Sequence, residues 1–254
     1  MIKGLDHVAI AVEDIGAGVE QYRLLLGRPE VALCETAGRR AAMFVLSNAR
    51  IVLIEADTGR AGVEAIGLSV ADGASQLTAA VPLHDHPAEL DVHAETAKLW
   101  ALPSVATRGL PVRLARRTSA PLLAADSFET DAVEALDHVV IRSAAPDAAL
   151  ALYNGALGIR LALDRVLGGV RMLFFRTGGV TLELIEDASA GATDSFYGLA
   201  YRVRDLEAAH LRLTAAGFLL TEPRVGRKPG THVFSVRSST CGVPTLLIRD
   251  ASRD

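Results

Sequence analysis

Cysteine is almost missing from this chain: among 254 residues only Cys34 and Cys241 carry a thiol, and no CxxC spacing joins them. A disulfide framework and a thiolate cluster are thereby excluded, and a reduced, cytoplasmic setting is expected. Long apolar runs are missing too; nothing approaches the roughly 18 residues that a membrane-spanning helix requires. The opening MIKGLDHVAIAVED lacks the apolar stretch and small-residue cleavage site of a secretory leader. Positive charge is not in excess, with a net charge of −4, so neither nucleic acid nor an acidic membrane surface is an expected partner. No P-loop, no GxGxxG following a strand and no GxSxG occurs. Aromatics are sparse at 5%, but 50% of the chain is apolar and 22% charged, a composition that buries a core and does not read as disordered.

What the chain does contain is itself, twice. LDHVAIAV at Leu5–Val12 returns as LDHVVIRS at Leu136–Ser143, an offset of 131. The same offset carries Tyr22 onto Tyr153, Gly27 onto Gly158, Arg40 onto Arg171, Phe44 onto Phe175, and Leu53-Ile54-Glu55 onto Leu184-Ile185-Glu186. A second offset of 133 carries Val70 and Asp72 onto Val203 and Asp205, and GLPVRLARR onto GVPTLLIRD. The chain is a duplication, each half having an early and a late unit.

Each unit reads as β-α-β-β-β. DHVVIRS alternates and is rich in β-formers; APDAALALYNGALG has apolar residues at helical spacing and ends on Gly158. IRLALDRV, VRMLFFRT and VTLELIED follow as short strands between Gly or polar turns. The fourth unit repeats the order as FYGLAYRV, RDLEAAHLRLTAAG, FLLTEP, THVFSVR and PTLLIRD. The second unit is irregular over PLHDHPAELDVHAETAKLW, where His84, His86 and His93 are expected in an exposed loop. The fold class is α+β: four βαβββ modules in two halves with curved mixed sheets, residues 1–117 and 136–254, joined by a linker over 118–135.

Four such units, the first and third with DH on their opening strand, resemble the vicinal oxygen chelate superfamily of glyoxalases, extradiol dioxygenases, epimerases and bleomycin resistance proteins. The ending GRKPGTHVFSVRSSTCGVPTLLI is also similar to bacterial glyoxalase-like proteins of no assigned reaction. The resemblance implies a cupped site with a histidine from a first strand and a glutamate from a fourth, holding one divalent ion (Fe, Mn, Ni, Zn or Co). His138 and Glu183 fill those positions in the third unit. In the first unit His7 remains, but Val52 replaces the carboxylate; Ala65 and Gly198 stand at the histidine position of units two and four, and Arg113 and Leu246 at the glutamate position. A third protein ligand then has to come from elsewhere, with His232 of GTHVFSV as the candidate, and a metal-free site stays open. His7 reads as structural, bonded to Asp6. Alternation puts His138, Val140 and Arg142 on one face, so Glu183 could equally be an ion-pair partner of Arg142, with His138 a satisfied polar residue beneath them.

The concave face carries further cations. Arg142, Arg202 and Arg237 sit at strand positions expected to face the cup, and Arg227 and Lys228 lie in the Gly/Pro turn GRKPG. Together they suit a carboxylate, phosphate or similar anion. Cys241 reads as a turn residue without an activating neighbour. Two functions follow. One is a glyoxalase-like enzyme, of isomerase or lyase type, moving a proton on a small carbonyl or carboxyl substrate with Glu183 and His138 as its chemical groups. The other is a binding protein that sequesters a small anionic or drug-like ligand, as a monomer or homodimer.

Overall fold

The computed structural model describes residues 2–36, 39–56, 61–71, 80–83, 97–117 and 129–251. In the first half, β1 (Ile2–Val12) leads into α1 (Ile15–Leu26), then β2 (Ala32–Thr36), β3 (Arg39–Val45) and β4 (Arg50–Glu55). The second unit supplies β5 (Gly62–Val70), β6 (Val81–Leu83), β7 (Ala97–Ala101) and β8 (Val112–Arg117). The segment where its helix is expected, and His84, His86 and His93, lie outside the described residues. The second half contains β9 (Val133–Ser143), α2 (Pro146–Leu150, continued by a wider π turn to Ala156), β10 (Arg160–Leu167), β11 (Val170–Thr177) and β12 (Val180–Glu186). It closes with β13 (Ser195–Val203), α3 (Leu206–Ala215), β14 (Arg224–Val225), β15 (Thr231–Val236) and β16 (Thr245–Asp250).

Local chemistry sets these boundaries. Asp14 begins α1 by accepting a bond from the Ala17 N–H, and Gly27 ends it in the left-handed region at φ 69°. Asp205 caps α3 in the same way, accepting from Ala208 N–H. Two expectations need correction. The strand read over FLLTEP is instead the two-residue β14 that follows it directly; Leu220 makes only an isolated bridge to Val236. The linker is also shorter than read, because β9 begins at Val133.

Each half forms one eight-stranded sheet, ordered β2-β3-β4-β1-β5-β8-β7-β6 and β10-β11-β12-β9-β13-β16-β15-β14. Modules therefore pair within a half: first strand lies antiparallel to first strand, β1 to β5 and β9 to β13, with β4, β8, β12 and β16 parallel beside them.

Period-two alternation divides the faces. Val8, Ile10, Phe44, Ile51 and Leu53 join Val139, Ile141, Phe175, Leu182 and Leu184 in one core that spans both halves. Even its ring contacts are duplicated: Tyr22 lies 6.2 Å from Phe44 at 44°, and Tyr153 lies 5.3 Å from Phe175 at 45°. Each such buried ring contributes about 1.5–3 kcal/mol relative to exposure. The halves meet through corresponding turns, each against the first strand of the other half. The β3–β4 turn bonds β9, with Ser47 N–H donating to Glu134 O at 2.8 Å and Asn48 bonded to both N–H and C=O of Leu136. The corresponding β11–β12 turn packs on β1 so closely that a Cβ on Gly178 would stand 2.6 Å from the Gly4 Cα.

Candidate active site

His138 and Glu183 come together by register. His138 lies opposite Thr181 across the parallel β9–β12 pair, and Glu183 opposite Val140, so both side chains emerge on the concave face. His138 Nε2 stands 3.8 Å from Glu183 Oε2, each side chain 16% exposed. On its other side the ring is held by Asp137, whose Oδ1 lies 3.0 Å from Nδ1. Burial alone would lower the His138 pKa; the hydrogen bond to Asp137 and the charge of Glu183 outweigh it, so the pKa is raised.

Two cavities open from this pair, of about 730 and 590 Å³. His138, Glu183, Arg224, Arg227 and Leu246 line both. Arg237, Tyr197 and Thr240 belong to the larger; Phe174, Met172 and Leu163 belong to the smaller.

The predicted cations divide. Arg227 and Arg237 line the cup. Arg142 does not pair with Glu183: its guanidinium lies 3.8 Å from the Tyr197 ring centroid, with Nε 3.6 Å from Asp187. That leaves the Glu183 carboxylate facing the cavities. Arg202 sits behind the site, bonded to Glu134 with its Nη1 3.9 Å from Asp137. Lys228 lines the smaller cavity but is paired with Asp250. His232 is not brought to the pair: Thr231, Val233 and Ser235 line the cavities, and His232 alternates with them as Phe234 does, which packs on His210 of α3. Cys241 is a turn residue at φ 51°, its thiol pushed up to about 11 by burial.

The donor set bears on a metal. His138 Nε2 and Glu183 face one another, and a carboxylate braces the far ring nitrogen, as around many metal-bound histidines. The corresponding positions of the fourth unit carry no donor. A Cβ on Gly198 would stand 2.4 Å from Pro244 O, so β13 has no room there for histidine, and Leu246 is apolar. No group of three or more His, Cys, Asp or Glu suited to a metal occurs among the described residues. His138 and Glu183 offer two donor groups to a divalent ion, and among the described residues they are not part of a closed four-ligand cage.

The first half shows the same strand put to another use. His7 is fully buried with Asp6 Oδ2 2.8 Å from its Nδ1, and its ring occupies the space where a Cβ on Gly67 would be. Asp6 is held by Arg117 at 2.8 Å and Arg50 at 3.3 Å, and Arg113 by Glu64 at 3.0 Å. Burial lowers the His7 pKa and keeps the ring neutral. Above it Ala9, Met43, Val52, Ala65, Leu99 and others form an apolar cluster on the concave face.

Sequence reasoning passed over Asp137, Phe174, Arg176 and Arg224. The signal for two of them was the Gly178-Gly179 turn, both residues at positive φ. Such a two-residue hairpin fixes Thr177 opposite Val180, hence Arg176 opposite Thr181 and Phe174 opposite Glu183.

Residues 137–234 match the sequence model of the Glyoxalase/Bleomycin resistance protein/Dioxygenase superfamily. A search of curated protein sequences finds no match. Among solved structures, the 2,3-dioxygenase LapB from Pseudomonas sp. KL28 superposes with a TM-score of 0.72 at 15% identity, over 98% of this chain and 93% of that one. The Mn(II)-bound glyoxalase from Novosphingobium aromaticivorans gives 0.71 at 15% identity, over 98% and 83%. A mutant of 4-hydroxymandelate synthase from Streptomyces coelicolor gives 0.67 at 17% identity, over 98% and 93%. At these identities the likeness is one of fold.

Proposed function

We propose that this chain, whose residues 137–234 match the glyoxalase/bleomycin resistance/dioxygenase superfamily model and whose two halves share the fold of such proteins, is an enzyme that moves a proton on a carbonyl or carboxyl compound in the cup of the second half. The observation that carries this reading is the His138–Glu183 pair, at 3.8 Å, on the wall common to both cavities and free of Arg142.

The roles follow from the groups. The substrate's anionic end is held by Arg227 and Arg237, which make no ion pair among the described residues and so have charge to offer. Its carbonyl oxygen lies toward His138, whose raised pKa keeps Nε2 protonated to higher pH and whose ring cannot turn away from the cup while Asp137 holds Nδ1. Glu183 takes the proton from the carbon beside the carbonyl; the C–H electron pair moves onto the oxygen, against the His138 N–H. Returning the proton from Glu183 to the opposite face of the same carbon, once the enolate has turned over in the cup, completes an epimerisation. In an α-hydroxy carbonyl compound, returning it to the former carbonyl carbon while the hydroxyl proton passes to the other oxygen completes an isomerisation. In place of those acid and base roles, His138 with Nε2 deprotonated and Glu183 would hold a divalent ion, which would supply Lewis acidity toward substrate oxygens.

The alternative of a pure binding protein draws on Gly198 and Leu246, where the fourth unit offers no polar group to a reacting centre. One experiment separates the two. Uptake of solvent deuterium is followed by NMR over a panel of carbonyl acids bearing a hydrogen beside the carbonyl. An enzyme of this kind labels at least one of them, and Glu183→Gln abolishes the labelling. Binding of the same compounds with no labelling leaves only the binding protein.

A further inference from the structure

We infer that the substrate carries two acid groups, carboxylate or phosphate, one on each side of the carbon that lies at His138 and Glu183. The inference deepens the proposed role of that pair and rests on it.

Arginine is generally answered by a carboxylate in this protein. Arg40 pairs with Glu55, Arg142 with Asp187, Arg171 with Asp147 and Asp164, and Arg212 with Asp131. Exposure does not decide the matter, since the Arg40 side chain is 50% exposed and still paired. Nor are acids scarce, with 30 Asp and Glu against 26 Lys and Arg. The arginines of the cup depart from this pattern. Arg165, Arg176, Arg224, Arg227 and Arg237 line the cavities and make no ion pair among the described residues. The acids on the same walls are engaged elsewhere: Asp250 with Lys228, and Asp137 and Glu183 on either side of His138.

The sheet sorts these charges into two groups. Its order, β10-β11-β12-β9-β13-β16-β15-β14, puts the reacting pair on β12 and β9. Arg165 on β10 and Arg176 on β11 lie to one side, Arg176 in one row with Thr181 and His138. Arg224 on β14, Arg227 in the β14–β15 turn and Arg237 just past β15 lie to the other. The curl of the sheet turns the two groups toward each other: Arg165, Arg176, Arg224 and Arg227 all line the cavity of about 590 Å³, with His138 and Glu183.

Like charges gathered in a cleft repel one another and focus a field on whatever enters it. Arg176 meets a neutral partner, donating to Thr181 Oγ1 at 2.6 Å, so its charge is not cancelled. A single acid group, held in a guanidinium fork, answers one set of arginines and leaves the other unanswered. The second set calls for a second acid group on the same molecule.

Heptanedioate and its monoamide test this by titration calorimetry in a phosphate-free buffer. The monoamide keeps the length and the hydrogen-bonding groups and loses one charge. Neither has a ketone or aldehyde, so their binding reports the arginines whether or not the protein transfers a proton. Deuterium uptake judges that reading separately. Diacids from pentanedioate to nonanedioate bracket the span, and a phosphonate in place of one carboxylate identifies the preferred second acid by its tighter binding. At the best length the doubly charged ligand binds about tenfold more tightly than its singly charged counterpart, the size of one added charge-assisted contact. Arg176→Gln and Arg237→Gln each remove most of that advantage, while the monoamide, able to use the other side, weakens by about twofold at most. Arg160→Gln, which removes an arginine of β10 that lines neither cavity, leaves both ligands unchanged. Doubly charged ligands no tighter than singly charged ones at every length, no binding of either, or a loss in Arg160→Gln equal to that in Arg176→Gln would each overturn the inference.

Discussion

His138 Nε2 stands 3.8 Å from Glu183 Oε2, while the far side of the ring is tied to Asp137 at 3.0 Å. The imidazole is thus suspended between two carboxylates, both of which line the smaller cavity. Its orientation and charge depend on both.

Replacing Asp137 by Asn keeps the shape and removes the charge. We expect activity to fall about tenfold to a hundredfold, the range for loss of a carboxylate that orients a functional histidine. The pH–rate profile should shift to lower pH with it, because a major support of the raised His138 pKa is gone. An unmoved profile would make Asp137 merely structural.

The sign of the pH dependence of stability follows from the same group. The His138 pKa is raised in the folded state above its ordinary 6.5. Its contribution is therefore fully present below about pH 6.5 and is lost as pH rises through the folded-state value. Urea midpoints measured from pH 5.5 to 9 should show that fall in wild type, and a smaller one in His138→Gln.

Gly67 is the space that His7 occupies. A Cβ there would lie 2.1 Å from His7 Cε1 and 2.3 Å from Nδ1. Gly67→Ala should destabilise by about 1–3 kcal/mol, the usual cost of overpacking. In a His7→Ala background the same change should cost much less. Chemical denaturation of the four combinations measures the coupling, and additive costs would mean that ring and strand do not collide.

Cys241 should react slowly. With its thiol pushed up to about 11, the thiolate fraction at pH 8 is lower by on the order of a hundredfold than that of an ordinary cysteine. Mass-spectrometric rates of iodoacetamide labelling at Cys241, set against a free thiol, check this.

Much of this was legible in the sequence because duplication makes a chain its own alignment. The offset of 131 that pairs Tyr22 with Tyr153 and Phe44 with Phe175 also pairs their ring contacts in space. Alternation along β9 separated His138 and Val140 from Val139 and Ile141, and the offset of 131 from Glu183 exposed Val52 as a lost carboxylate. What could not be read was lateral. Alternation allots a residue to a face but does not say which neighbour it meets there, so Arg142 was equally free to join Glu183 or, as it does, to stack on Tyr197. His232 was assigned by residue type alone, and counting by twos from the cavity-lining Val233 would have placed it on the other face. Strand β14, with two residues, is too short to leave a pattern.

The account turns on an asymmetry between two copies of one dipeptide, and a pH titration of the histidine side chains by ¹H–¹⁵N NMR tests it most directly. It predicts that His138 titrates above 6.5 with its Nδ1 hydrogen-bonded, that Glu183→Gln lowers this pKa, and that His7 stays neutral throughout the neutral range in both proteins. A His138 that titrates at 6.5 or below and ignores Glu183→Gln would contradict it, because the pair on which the proposed chemistry rests would then not be coupled.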